Sequence, residues 1–95
     1  MDEDVKAKAV NGAVVTGAAS VIVRQANRHR TSLILVNDSV NIIYLSYSAT
    51  AVLNTGIRLN AEGGTWEINA TNLYRGVVSA IATGVTSNMG FIEVE

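Results

Sequence analysis

Along the chain, the apolar positions fall in short runs rich in Val, Ile and Tyr. Clusters of Asn, Gly, Ser and Thr separate them at intervals of roughly 8 to 12 residues, the spacing of an all-β domain. No stretch sustains a helical period with capping residues at its ends. The runs predict strands near residues 19–25, 31–37, 41–47, 57–60, 65–70, 76–82 and 89–95. The expected fold is therefore all-β: a small antiparallel β-sandwich or barrel of seven or eight strands, Greek-key or jelly-roll-like, with an N-terminal arm.

The punctuation agrees, because "NDS", "NTG", "AEGG", "YRG" and "SN" supply residues that tolerate turn and left-handed backbone. Residues 47–56 form a longer connection, read as a Greek-key crossover or a short helical turn. Asn11-Gly12 between weakly apolar flanks is a two-residue hairpin signal, while Asp2 to Lys8 is highly charged. Residues 1–12 are accordingly expected to be an arm or hairpin, and residues 13–95 a single sandwich domain.

Alternation shows where burial falls. "TWEIN" reads as a half-buried strand, with Trp66 and Ile68 on one face and Glu67 and Asn69 on the other. By contrast "VIV" (21–23), "LILV" (33–36), "IIYL" (42–45) and "VV" (77–78) are apolar on both parities. One face of each sheet in a lone antiparallel sandwich meets water, so two-faced strands call for a covered outer face. Composition sharpens this: charged residues are 16% of the chain and hydrophobic ones 48%, against about 25% charged in a typical domain. Ninety-five residues support one core with much surface, so part of that surface is expected to be covered by subunit association.

The net charge of -1 hides an uneven spread, since Asp2, Glu3, Asp4, Glu93 and Glu95 hold five of the eight acids at the two ends. Arg24, Arg28 and Arg30 gather with His29, the single histidine, in "RQANRHR". There is no cysteine, hence no disulfide framework or thiolate metal site, and an intracellularly assembled protein is expected. No run reaches the roughly 20 apolar residues of a membrane span, and the acidic "MDEDVKAK" start does not read as a signal peptide.

The residues offer little chemistry. His29, flanked by two arginines, lacks a Gly-x-Ser-x-Gly elbow or comparable partner motif, so no catalytic residue is assigned. One His and no Cys are too few ligands for zinc, no Asp-rich calcium loop is present, and "GG" at 63–64 lacks the Lys and helix of a phosphate loop. Neither metal nor cofactor is expected. The arginine cluster has no interleaved aromatic ring, which argues against nucleic acid. Tyr44, Tyr47, Trp66 and Tyr74 are the candidates for stacking on carbohydrate, with core packing the simpler role for Trp66. "NDS" and "NAT" (69–71) match a glycosylation pattern and are read as turns.

From Arg30 onward, "RTSLILVNDSVNIIYLSYS", "NTGIRLNAEGGTWEI", "NLYRGVVSAIATG" and "FIEVE" resemble small β-sandwich domains of tailed-bacteriophage structural proteins. The resemblance covers residues 30–95 and consists of turn and core features, which identify an architecture better than a role. It implies a virion component, most simply a capsid decoration (cement) protein assembled in the host cytoplasm. The implied partners are the chain itself, as a trimer, and the major capsid protein, with no nucleic acid and no membrane. A head-fibre or tail adsorption module binding host carbohydrate is the alternative. Arg24, Arg28, His29, Arg30, Asp2, Glu3, Asp4, Glu93 and Glu95 are the expected polar contacts. Replacing Arg28 and Arg30 with Ala is expected to weaken shell binding and to leave the fold intact.

Overall fold

Eight strands form in a computed structural model that describes residues 8–95: β1 (Ala9–Thr16), β2 (Val21–Arg24), β3 (Ser32–Asn37), β4 (Ile43–Ser46), β5 (Ile57–Leu59), β6 (Thr65–Ile68), β7 (Val78–Ala82) and β8 (Ser87–Val94). They make two antiparallel sheets of four, in the orders β1-β8-β3-β6 and β2-β7-β4-β5. Every connection except β4–β5 passes from one sheet to the other. This is the jelly-roll arrangement of eight strands.

The strands sit where the β-branched runs place them, and their alternation builds the core. On β3 and β8 buried residues alternate with half-buried or exposed ones, as period-2 side-chain geometry requires. Leu33, Leu35, Met89 and Phe91 of the first sheet meet Val23, Ile43, Leu45, Leu59, Val78 and Ala80 of the second in one continuous cluster.

Two expectations change. Asn11-Gly12 is no hairpin: β1 runs straight through it, in unbroken register with β8 from Ala9↔Val94 to Thr16↔Ser87. A side chain at Gly12 would bring its Cβ to 2.8 Å from Phe91 Cζ, so this glycine makes room for a ring. Residues 9–12 thus belong to the sandwich rather than to an arm, and residues 1–7 lie outside the described residues. Residues 47–56 are neither a crossover nor a helical turn, because they join β4 to its own neighbour β5.

That connection explains one of the two-faced runs, "IIYL". Its Ala51 packs with Tyr44 and Ile81, the outward residues of β4 and β7, and Ile42 joins them. Tyr44 donates its hydroxyl to Asn54 Oδ1 at 3.0 Å, and Ala51 N–H donates to Ser20 Oγ at 2.8 Å. The chain itself covers the centre of the outer face of its second sheet, at Tyr44 and Ile81, and leaves Ile22 and Arg58 exposed on it. The outer face of the first sheet receives no such cover among the described residues.

Candidate functional site

The arginine corner stands at one end of the sandwich, where the β2–β3 and β6–β7 connections meet the end of β8. Arg30 is fully buried. Its Nε donates to Glu93 Oε2 at 2.6 Å, Nη1 to the carbonyls of Tyr74 and Gly76 at 3.0 Å each, and Nη2 to the Gln25 carbonyl at 2.9 Å. The planar fork of guanidinium suits such a divergent set of acceptors. Arg24 reaches the other carboxylate oxygen, through Nη2 at 2.6 Å and Nε at 3.1 Å, and lies over the Phe91 ring at 4.6 Å from its centroid. A β-bulge between Ile22 and Arg24 shifts the register of β2 there.

Glu93 therefore serves two cations. Burial alone would raise its carboxyl, but the hydrogen bonds from Arg30 and Arg24, together with their charges, outweigh burial and hold it below its ordinary value of 4.5. Backbone bonds close the corner further: Arg75 Nε donates to the Arg30 carbonyl at 2.9 Å, and Asn27 N–H to the Arg75 carbonyl at 2.8 Å. A shallow depression of about 300 Å³ borders Arg24, Asn27 and Glu93.

This geometry revises the expected polar contacts. Arg30 and Glu93 are internal and bonded to each other, so neither is offered to a partner. Their parity is the cause: Met89, Phe91 and Glu93 all face the core from β8. Glu95 accepts from Asn27 Nδ2 at 3.0 Å and lies 4.0 Å from Lys8 Nζ. Arg24 is partly exposed and committed to Glu93. Among the described members of the set, Arg28 and His29 are the freely exposed ones, with Arg28 Nε 3.3 Å from His29 Nε2 and His29 N–H on Asn27 Oδ1. Asp2, Glu3 and Asp4 lie outside the described residues. The expectation that Arg28 and Arg30 are equally dispensable to the fold fails for Arg30.

Opposite this corner, Asn37 is buried and its Nδ2 donates to the carbonyls of Asn41, Leu59 and Asn60. Ser39 Oγ donates to Asn37 Oδ1 at 2.7 Å, which makes "NDS" a turn and fully engages its asparagine. Asn69 Oδ1 likewise accepts from Thr71 N–H and Oγ1. Among the described residues no group of three or more His, Cys, Asp or Glu side chains gathers closely enough to hold a metal ion.

Three of the four aromatic candidates come together. Tyr47 and Tyr74 stack with centroids 4.0 Å apart and planes 5° from parallel, and Trp66 Nε1 donates to the Tyr47 hydroxyl at 2.9 Å. Tyr47 is 38% exposed, while Trp66 and Tyr74 also pack on the core. Tyr44 stays apart beneath the β4–β5 connection.

The outer face of the first sheet is built of short side chains and aliphatic ones. Residues directly opposite in register share a face, so the rows Val15–Asn88, Ala13–Gly90–Val36, Asn11–Ile92–Ile34 and Ala9–Val94–Ser32 all point outward, with Thr65 and Glu67 continuing them on β6. Glu67, at the far edge, is the single charged residue of this face among the described residues. Val15 is 58% and Ile92 42% exposed. Comparison of the chain with protein-family models, curated proteins and solved structures finds no match.

Proposed function

We propose that the chain is a non-enzymatic structural subunit that works by packing the outer face of its β1-β8-β3-β6 sheet against other protein in an assembly. The observation that carries the reading is the contrast between the two sheets. One outer face is covered at its centre by Ala51 of the chain's own β4–β5 connection, whereas the other presents Val15, Ile34, Val36, Ile92 and Val94 with, among the described residues, a single charge at its rim. Contiguous apolar patches rimmed by polar residues mark interaction surfaces.

Jelly rolls occur in viral shells, lectins and cupins alike, so the fold by itself selects no role. The resemblance of residues 30–95 to phage β-sandwich domains supports a specific version of this reading: a capsid decoration protein that associates with copies of itself and bridges subunits of the major capsid protein. A ligand that binds only the assembled shell stabilises it by linkage.

Particles carrying this chain test the reading through copy number and position. Cryo-electron microscopy is expected to find it repeated over the shell lattice, with Ile92→Lys abolishing occupancy of a still-folded protein. A few copies confined to a tail or vertex, or full occupancy by Ile92→Lys, would refute it. The Tyr47–Tyr74 stack supports a second reading, a carbohydrate-binding adsorption module, because flat aromatic faces are its usual contact. Glycan-array binding lost on Tyr47→Ala would favour that reading over decoration.

A further inference from the structure

We infer that two copies of this chain join edge to edge through β1, as an antiparallel pair about a two-fold axis that makes one continuous eight-stranded sheet. This names the self-contact of the assembly reading and in that respect rests on it, but its geometry comes from β1 alone.

Sheet edges expose unpaired backbone groups, and proteins blunt them with short strands, charges, prolines or bulges. Three of the four edges here carry such devices. β2 has four residues, a bulge and Arg24; β5 has three residues and an outward Arg58; β6 has four residues and Glu67. β1 has none of them: eight residues, "AVNGAVVT", without charge, proline or break in register.

The edge is also self-complementary. Glu95 N–H donates to the Lys8 carbonyl, and Asp38 N–H to the Asn88 carbonyl, so the even residues of β8 serve β3 and the odd ones serve β1. Hydrogen-bonded pairs recur at every second position of an antiparallel ladder. On β1 the even residues therefore turn their backbone groups to β8. Ala9, Asn11, Ala13 and Val15 turn theirs away, and no hydrogen bond among the described residues uses them.

A second β1, run antiparallel with Gly12 opposite Gly12, pairs Ala9 with Val15 and Asn11 with Ala13. The four N–H and four C=O groups of each copy then meet those of the other in eight hydrogen bonds. All four residues of each copy sit on the outer face, so this register continues the apolar outer face across the joint. A two-fold contact uses the same patch on both subunits, as this one does. It replaces the three-fold association expected from sequence.

Sedimentation equilibrium of the full chain tests the pair. The expected result is a dimer whose dissociation constant rises at least tenfold in Ala13→Pro, which removes only an outward N–H and leaves the β8 ladder intact. Ala13→Lys, expected to act in the same direction through charge, stands in if the proline variant loses its far-ultraviolet circular dichroism. Cysteines placed together at positions 11 and 13 in this cysteine-free chain should oxidise to a covalent dimer, whereas cysteines at 9 and 13, out of register, should not. A monomer at all concentrations, a dimer indifferent to both position-13 variants, or cross-linking in the wrong register overturns the pairing. A monomer that still coats shells overturns the pairing alone. A dimer of the stated register that never occupies a shell overturns the assembly reading alone.

Discussion

Arg30→Ala is the perturbation that weighs most on the corner. It deletes a fully buried side chain and withdraws donors from Glu93 Oε2 and from the carbonyls of Tyr74, Gly76 and Gln25. Removing one partner of a buried ion pair costs about 3–5 kcal/mol. Arg24 still holds the other oxygen of Glu93 at 2.6 Å, which pulls the loss toward the lower end. The orphaned carbonyls act in the opposite sense, and the expected loss is about 3–4 kcal/mol. For a domain of this size 1 kcal/mol moves the thermal midpoint by about 4–8 °C, so a fall of at least 12 °C is expected. Urea unfolding followed by circular dichroism measures it, with an unchanged m-value certifying that stability alone has moved. Arg28→Ala, on the exposed side of the same segment, should stay within about 0.5 kcal/mol of the parent. Arg30→Lys should fall between, because one ammonium cannot span the same acceptors. An Arg30→Ala protein within about 1 kcal/mol of the parent would refute the structural role assigned to the corner.

Three further outcomes are expected. Because the folded-state carboxyl of Glu93 lies below its ordinary value, its contribution to stability is fully present above pH 4.5 and is lost as pH falls through the lowered value. Glu93→Gln should flatten that acid limb in denaturation curves collected between about pH 5 and 2.5. Asn37→Ala removes the buried amide that ties the carbonyls of Asn41, Leu59 and Asn60 together at the opposite end, and should cost about 1–3 kcal/mol in urea unfolding. Gly56 has φ +87 and an added Cβ would collide with the Leu45 carbonyl oxygen, so Gly56→Ala should cost more than about 1 kcal/mol. Gly63→Ala, with φ +115 but open space around it, serves as the comparison at a glycine without that collision.

The strands were legible because β-branched runs bounded by turn residues carry their own signal, and β3, β4 and β8 lie within two residues of the expected limits. β1 was not, since Asn11-Gly12 mimics a hairpin locally while its reason for being there, the Phe91 ring, lies in the last strand. The burial of Arg30 was equally hidden, as its ionic partner is 63 residues away. One signal did exist: Glu93 shares the parity of Met89 and Phe91, and an acid on a core-facing row requires a cation. The two-faced run "IIYL" has its cover in the same chain rather than in a second subunit, and sequence could not distinguish cover by residues 47–56 on one sheet from an open face on the other. Ala51 alone reveals which sheet is served.

β8 lies between β1 and β3, yet both of its neighbours precede it in the chain by many residues. Until β8 is present, β1 and β3 lack the strand that separates them in the sheet, and neither has its native β8 ladder. Such distant closure is also slow. When β8 enters that slot it delivers Glu93 as well, so Arg30 gains its countercharge in the same event that completes the sheet. Burial of the guanidinium is thereby timed to the final pairing, and a chain halted short of β8 would expose both an unfilled sheet and an uncompensated cation.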